Sequence, residues 1–157
     1  MTERVSDLLT PSLDDHAAPP PGRRPWRLSS QFYVAFFGGV LAVTAIAFVN
    51  AGRLRADQRR RLLILGSGVL GLAAGIVAAV AGHDSLDASD LRLIERGIAL
   101  VTCGAMYLIQ RTPDRLHHYF GRGSTPDEEY DSLVGPGIAA VICGAIIQTA
   151  VFAAILL

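Results

Sequence analysis

Apolar residues in this chain neither alternate with polar ones at the period of a strand nor gather into the single stripe of a surface helix. They fill whole segments. Leu28 to Gly52 and Leu62 to Gly82 contain no Asp, Glu, Lys, Arg or His, and apolar positions surround each predicted helix. Between them lies the knot Arg53-Leu-Arg-Ala-Asp-Gln-Arg-Arg-Arg61, which carries five arginines. At a rise of about 1.5 Å per residue each segment matches a hydrocarbon layer about 30 Å thick, so the pair reads as a transmembrane helical hairpin. A soluble chain of 157 residues would have to wrap both rods and also hide the apolar segments that follow.

The same pattern divides the rest of the chain. Residues 1–27 mix acids, small residues and Pro19-Pro20-Pro21 without apolar periodicity, and are expected to form a disordered tail. A first helix is expected over about 31–52 and a second over 62–82. In the second, Ser67, Gly71, Gly75 and Ala79 recur every four residues along one face, where a neighbouring backbone can approach closely. The acidic stretch His83 to Asp90 reads as a turn. A third helix is expected over about 91–110; only Gly97 to Gln110 is free of ionisable residues, so spanning requires Leu91 to Arg96 to extend it. Within the loop 111–134, Thr112-Pro113-Asp114 and Thr125-Pro126-Asp127 each carry a capping threonine and a proline suited to a first turn, which predicts short interfacial helices. A fourth helix follows over about 135–157, with Gly137, Ala140, Gly144 and Gln148 on one face. The expected fold class is therefore all-α, a four-helix membrane bundle built from two helical hairpins.

Composition supports a low-polarity solvent. Hydrophobic residues make up 51% of the chain and charged ones 18%, against about 25% in soluble domains. Positive charge is carried wholly by arginine, which points to a GC-rich, bacterial genome, and hence to a plasma membrane as the location. The formal net charge of zero gives no basic field for nucleic acid. Two cysteines in apolar segments provide no disulfide framework and no paired ligand spacing, and no cofactor or metal is expected.

Arginines near helix ends bear on orientation, because cytoplasmic loops carry the positive excess. Loops one and three hold Arg53, Arg55, Arg59, Arg60, Arg61, Arg111, Arg115 and Arg122, eight in all. The flank before helix one and loop two hold Arg23, Arg24, Arg27, Arg92 and Arg96, five in all. The vote puts loops 53–61 and 111–134 in the cytoplasm and both chain ends outside, and the five arginines of the knot become a topology and headgroup-contact device.

Candidate chemistry is sparse. His117 and His118 project in different directions on a helix and lack an i, i+4 partner, so a solvated interface is the better reading than metal binding. No paired carboxylates or nucleophile and base arrangement points to an enzyme. If helices three and four are antiparallel neighbours, Cys103 and Cys143 sit at similar depth, and Glu95, Thr102, Tyr107, Gln110 and Gln148 form a candidate polar path. Two functions follow. The first is a non-enzymatic accessory or interaction subunit whose small-residue faces dock another membrane protein or a second copy; the alternative is a small transporter or channel component using that path.

Overall fold

The computed structural model describes residues 24–82, 85–120 and 130–156. Those residues form four long helices: α1 (Gln31–Arg53), preceded by a 3-10 turn over Leu28–Ser30, then α2 (Gln58–Gly82), α3 (Ala88–Phe120) and α4 (Val134–Leu156). Each is long and apolar enough to cross a membrane. Among the described residues the only extended pairing is a single bridge between Trp26 and Asp131. The tail expected over residues 1–27 lies, apart from 24–27, outside the described residues, as does the second helix signal at Thr125.

The first helix differs from the rod expected over 31–52. Gly39 has φ 74° and ψ −167°, a backbone region that is essentially glycine's alone, and the helical ladder stops there. A straight helix would set Gln31 and Asn50 about 28 Å apart. Instead, both hydrogen-bond the same Gln110 side chain, with distances of 3.4 Å and 3.2 Å. α1 is thus a folded-back pair of arms, Gln31 to Gly38 and Val40 to Arg53, with both open ends on the side of the arginine knot. Gly38 tightens the bend: a Cβ there would come within 2.6 Å of the Ala42 Cβ and 2.8 Å of the Val141 Cα. Consequently the flank at Arg24 to Arg27 lies beside the knot, not at the opposite end of the bundle as the orientation count assumed.

The second arm stops in a Schellman turn, in which Ala56 N donates to Ala51 O at 2.9 Å and Arg55 N donates to Gly52 O at 3.2 Å. Arg55 occupies the left-handed position at φ 52°, usually a glycine's place. Buried Ala51 and Ala56 close the turn against the core.

α3 also departs from expectation. Thr112-Pro113 does not open a new helix; α3 runs through Pro113 to Phe120. Proline removes one backbone donor and restricts the residue before it, but a buried Pro113 ring packed in the bundle keeps the helix on course. α4 begins at Val134, with Pro136 in the first turn where its missing N–H costs nothing.

α1 sits between the others. It packs on α4, α3 and α2, and α2 packs on α3, whereas α3 and α4 are held apart by it. One core cluster joins Ala35, Val43, Ala47, Ala51 and Ile64 to Cys103 and Met106; a second joins Trp26, Val34, Ala42, Ile46 and Leu133. The juxtaposition of helices three and four expected from their antiparallel order therefore does not occur, and buried Cys103 and exposed Cys143 are not neighbours across such an interface.

Candidate functional site

Two features meet at the arginine-rich end. The first is an amide girdle that ties the open ends of the α1 hairpin. Asn50, fully buried, accepts from Trp26 N through Oδ1 at 2.7 Å and donates from Nδ2 to Trp26 O at 3.2 Å, pairing with that backbone as a strand would. Its Nδ2 also donates to Gln110 Oε1 at 3.2 Å. Gln31 and Gln110 exchange hydrogen bonds of 3.4 Å and 3.3 Å, and Gln110 Nε2 returns a further one to Met106 O at 3.4 Å. Buried amides without partners are costly, so this closed set both permits their burial and fixes where each arm ends.

Arg53 completes the girdle. Its Nη1 donates to Arg24 O at 2.8 Å and to Asp131 Oδ2 at 3.2 Å, while its guanidinium lies 3.9 Å from the Trp26 ring centroid. Asp131 N donates to Pro25 O at 2.9 Å, which fastens the approach to α4 onto the flank before α1. One arginine therefore joins the flank, the end of α1 and the start of α4.

The second feature is a groove of about 940 Å³ between the first arm of α1 and α4. Arg24, Arg27, Ser30 and Tyr130 stand at its mouth; Tyr33 and Phe37 face Ile138 and Ile142 along its walls. Arg27 lies over the Tyr130 ring at 5.8 Å. At its inner end Gly38 abuts Val141, so the groove closes there and stays open sideways.

The small residues singled out in α2 lie inside the bundle. Gly71, Gly75 and Ala79 are buried, and half-buried Ser67 donates to Ile64 O at 2.9 Å. A Cβ at Gly71 would collide with the Thr102 hydroxyl, and one at the adjacent Gly68 would come within 2.5 Å of Thr44. Both threonine hydroxyls donate to their own helices, to Ile98 O at 2.8 Å and Val40 O at 2.6 Å, so each oxygen is satisfied where it lies against the glycine. In α4, Gly144 abuts Gly38 O and Ala42, Gly137 touches Val34, and Ala140 packs on the second core cluster.

The five residues of the candidate polar path are scattered. Gln110 belongs to the girdle, Thr102 faces Gly71, and Tyr107 packs on Phe32 with ring centroids 6.0 Å apart. Glu95 is half-buried near the far end of α3, and Gln148 stands across α1 at the Gly39 bend, its Oε1 buried without a partner among the described residues. Of the knot, Arg60 pairs with Asp57 at 3.2 Å, Arg61 packs near Gly52, and Arg55 and Arg59 are exposed. The side chains of His117 and His118 lie outside the described residues.

Sequence reasoning placed Trp26 at the interface and Asp131 among the loop acids, and gave no pairing role to them or to Gln31 and Asn50. A signal was present: an apolar segment that carries an amide near each end and a Gly38-Gly39 pair between them can bring the two amides together only by folding back. Comparison of the chain with protein-family models, curated proteins and solved structures finds no match.

Proposed function

We propose that the chain is an integral protein of the bacterial plasma membrane, acting without catalysis as an accessory or interaction subunit of a membrane assembly. The observation that carries this reading is the placement of α4. It is joined to the bundle chiefly through α1, and Ile146 and Ile147 on its free side are 65% and 54% exposed. In lipid, a helix held on one flank retains most of its circumference for a partner. The small-residue faces of α2 are spent within the chain, so α4 replaces them as the docking element. The buried polar groups support a non-enzymatic role, since the girdle amides already bond one another.

In this reading the arginine-rich end faces the cytoplasm. The hairpin brings Arg24 and Arg27 to the side of Arg53, Arg55, Arg59, Arg60, Arg61, Arg111 and Arg115, against Arg92 and Arg96 at the far end, nine to two among the described residues. The positive-inside rule then favours a cytoplasmic flank and knot, three crossings by α2, α3 and α4, and a hairpin that enters and leaves on one side. Backbone broken within a bilayer is tolerated where protein packs against it, and here Val141 and Gln148 of α4 pack against Gly38 and Gly39.

Mild-detergent purification of the full chain followed by mass measurement tests the proposal. The expected result is a complex larger than one chain that dissociates in an Ile146→Asn, Ile147→Asn variant. A lone monomer from native membranes, or a complex indifferent to those changes, would overturn it. One observation favours transport as the second reading, namely the unpartnered Gln148 oxygen at a broken helix, an arrangement transporters use to hold ions or substrates. Unaltered flux in Gln148→Leu and Glu95→Gln vesicles would remove it.

A further inference from the structure

The turn between α1 and α2 spends a strained backbone position on an arginine. Arg55 holds φ 52°, where a Cβ is crowded and glycine is not, and it stands exposed between buried Leu54 and Ala56. Glycine would close the same Schellman turn at lower cost, so the fold does not account for the side chain. We propose that Arg55 and Arg59 form a site for the phosphate of an anionic phospholipid, with Arg61 beneath them as a third positive charge. This inference rests on the membrane reading above.

The charge at this turn is left over after pairing. Asp57 is engaged by Arg60 at 3.2 Å, Asp131 by Arg53 at 3.2 Å, and Asp114 accepts from Tyr130 Oη at 3.2 Å. The side chains of Arg55, Arg59 and Arg61 make no hydrogen bond or ion pair among the described residues. Arg61 lies beside Gly52 with its Nε buried and unpartnered, and Arg55 and Arg59 point into open space. Three unneutralised guanidiniums within seven residues repel one another, and an anion held between the outer two relieves that repulsion.

Position selects a lipid as the source of the anion. Leu62 and Leu63 follow Arg61 directly and are 59% and 52% exposed. A bilayer that covers these two side chains sets its headgroups at the level of the turn, where a phosphodiester can accept from both guanidiniums. The acyl chains gain nothing here that the bilayer does not already give them, so preference comes from the headgroup. It amounts to about five-fold per arginine and roughly 25-fold for the pair.

Native mass spectrometry of the full chain, purified from membranes and exchanged into an equimolar mixture of phosphatidylglycerol and phosphatidylcholine, tests the site. The expected result is retained phosphatidylglycerol at roughly 20-fold or greater preference. Arg55→Gln and Arg59→Gln should each lower that preference about five-fold, whereas Arg111→Gln, the same loss of charge at the same end but on α3, should change it less than about two-fold. Arg55→Gly separates site from fold. It should lower the preference as far as Arg55→Gln does while raising the unfolding midpoint in phosphatidylcholine nanodiscs, because the strain is gone. Free glycerol phosphate, which brings the same phosphate without the bilayer, should not compete. Equal retention of the two lipids, an equal fall in all three glutamine variants, Arg55→Gly with undiminished preference, or competition by glycerol phosphate would overturn the proposal. Alkaline carbonate extraction of the same membranes separates the two levels: a chain released by carbonate refutes the membrane reading, whereas an integral chain without headgroup preference refutes the lipid site alone.

Discussion

Replacing Gly39 by alanine tests the fold-back of α1 directly. At φ 74° and ψ −167° a residue with a Cβ is strained by about 1–3 kcal/mol, and the new methyl also meets the Gln148 amide. The Gln148 side chain can yield, which adds about 1 kcal/mol and gives a total of about 2–4 kcal/mol. That is roughly a 30- to 700-fold shift away from the bent form, at a tenfold per 1.4 kcal/mol. A second substitution, Gln148→Ala, removes the collision but not the backbone strain, so it should recover only the smaller share. The assay is a pair of spin labels at Ser29→Cys and Val49→Cys in a background with Cys103 and Cys143 changed to Ser, measured in lipid nanodiscs by pulsed dipolar spectroscopy. A straight helix places these sites about 30 Å apart. The hairpin, whose ends share one Gln110 side chain, holds them within on the order of 15 Å. The parent should give the short distance and Gly39→Ala a population at the long one, together with a lower midpoint in detergent-induced unfolding. A parent distance near 30 Å, or Gly39→Ala with unchanged distance and stability, would refute the bend.

Other perturbations probe the same architecture. Asn50→Leu strands Trp26 N, Trp26 O and part of Gln110, and should cost about 2–3 kcal/mol in the same unfolding assay; a loss below a few tenths would deny the girdle its role. Gly66 has nothing within 4 Å of its missing Cβ whereas Gly71 meets Thr102, so one substitution should have opposite signs on one helix. Gly66→Ala should gain about 0.5–1 kcal/mol and Gly71→Ala should destabilise; equal signs would contradict the packing. An impermeant maleimide added to intact cells should label Ser85→Cys and spare both Ser29→Cys and Gln58→Cys. Labelling of Ser29→Cys with Gln58→Cys protected would restore a crossing by α1.

Much of this architecture was legible in the residues, because segment length and the absence of charge are local properties that the solvent reads helix by helix. Apolar runs marked α2 and α4 to within a few residues, and the four-residue spacing of Gly71, Gly75 and Ala79 reports a face that must meet something bulky. Which partner it meets is not a local property: Thr102 comes from a helix whose neighbours depend on where α1 goes. The bend in α1 was obscured because counting only ionisable residues treats Gln31 and Asn50 as neutral filler. Each is an amide that low-dielectric surroundings require to be paired, and pairing both with Gln110 outweighs the hydrogen bonds lost at Gly39. Pro113 misled in the opposite direction. A start signal of threonine and proline also fits inside a helix whose other side chains are already held by packing. The groove was invisible for a related reason, since its mouth draws Arg24 from before α1 and Tyr130 from before α4, brought together by Arg53, Asp131 and the stacking of Arg27 on Tyr130.

The girdle also has a consequence in time. Gln31 and Asn50 are synthesised 79 and 60 residues before Gln110, so the hairpin must be held in outline while its third partner is still being made. Asn50 can clasp Trp26 at once, being only 24 residues away. In the proposed membrane topology, Arg24 and Arg27 would resist translocation and so keep the first arm from sliding across as a straight rod. In that topology the arginines would act as a doorstop during synthesis, and only when α3 delivers Gln110 can the latch engage.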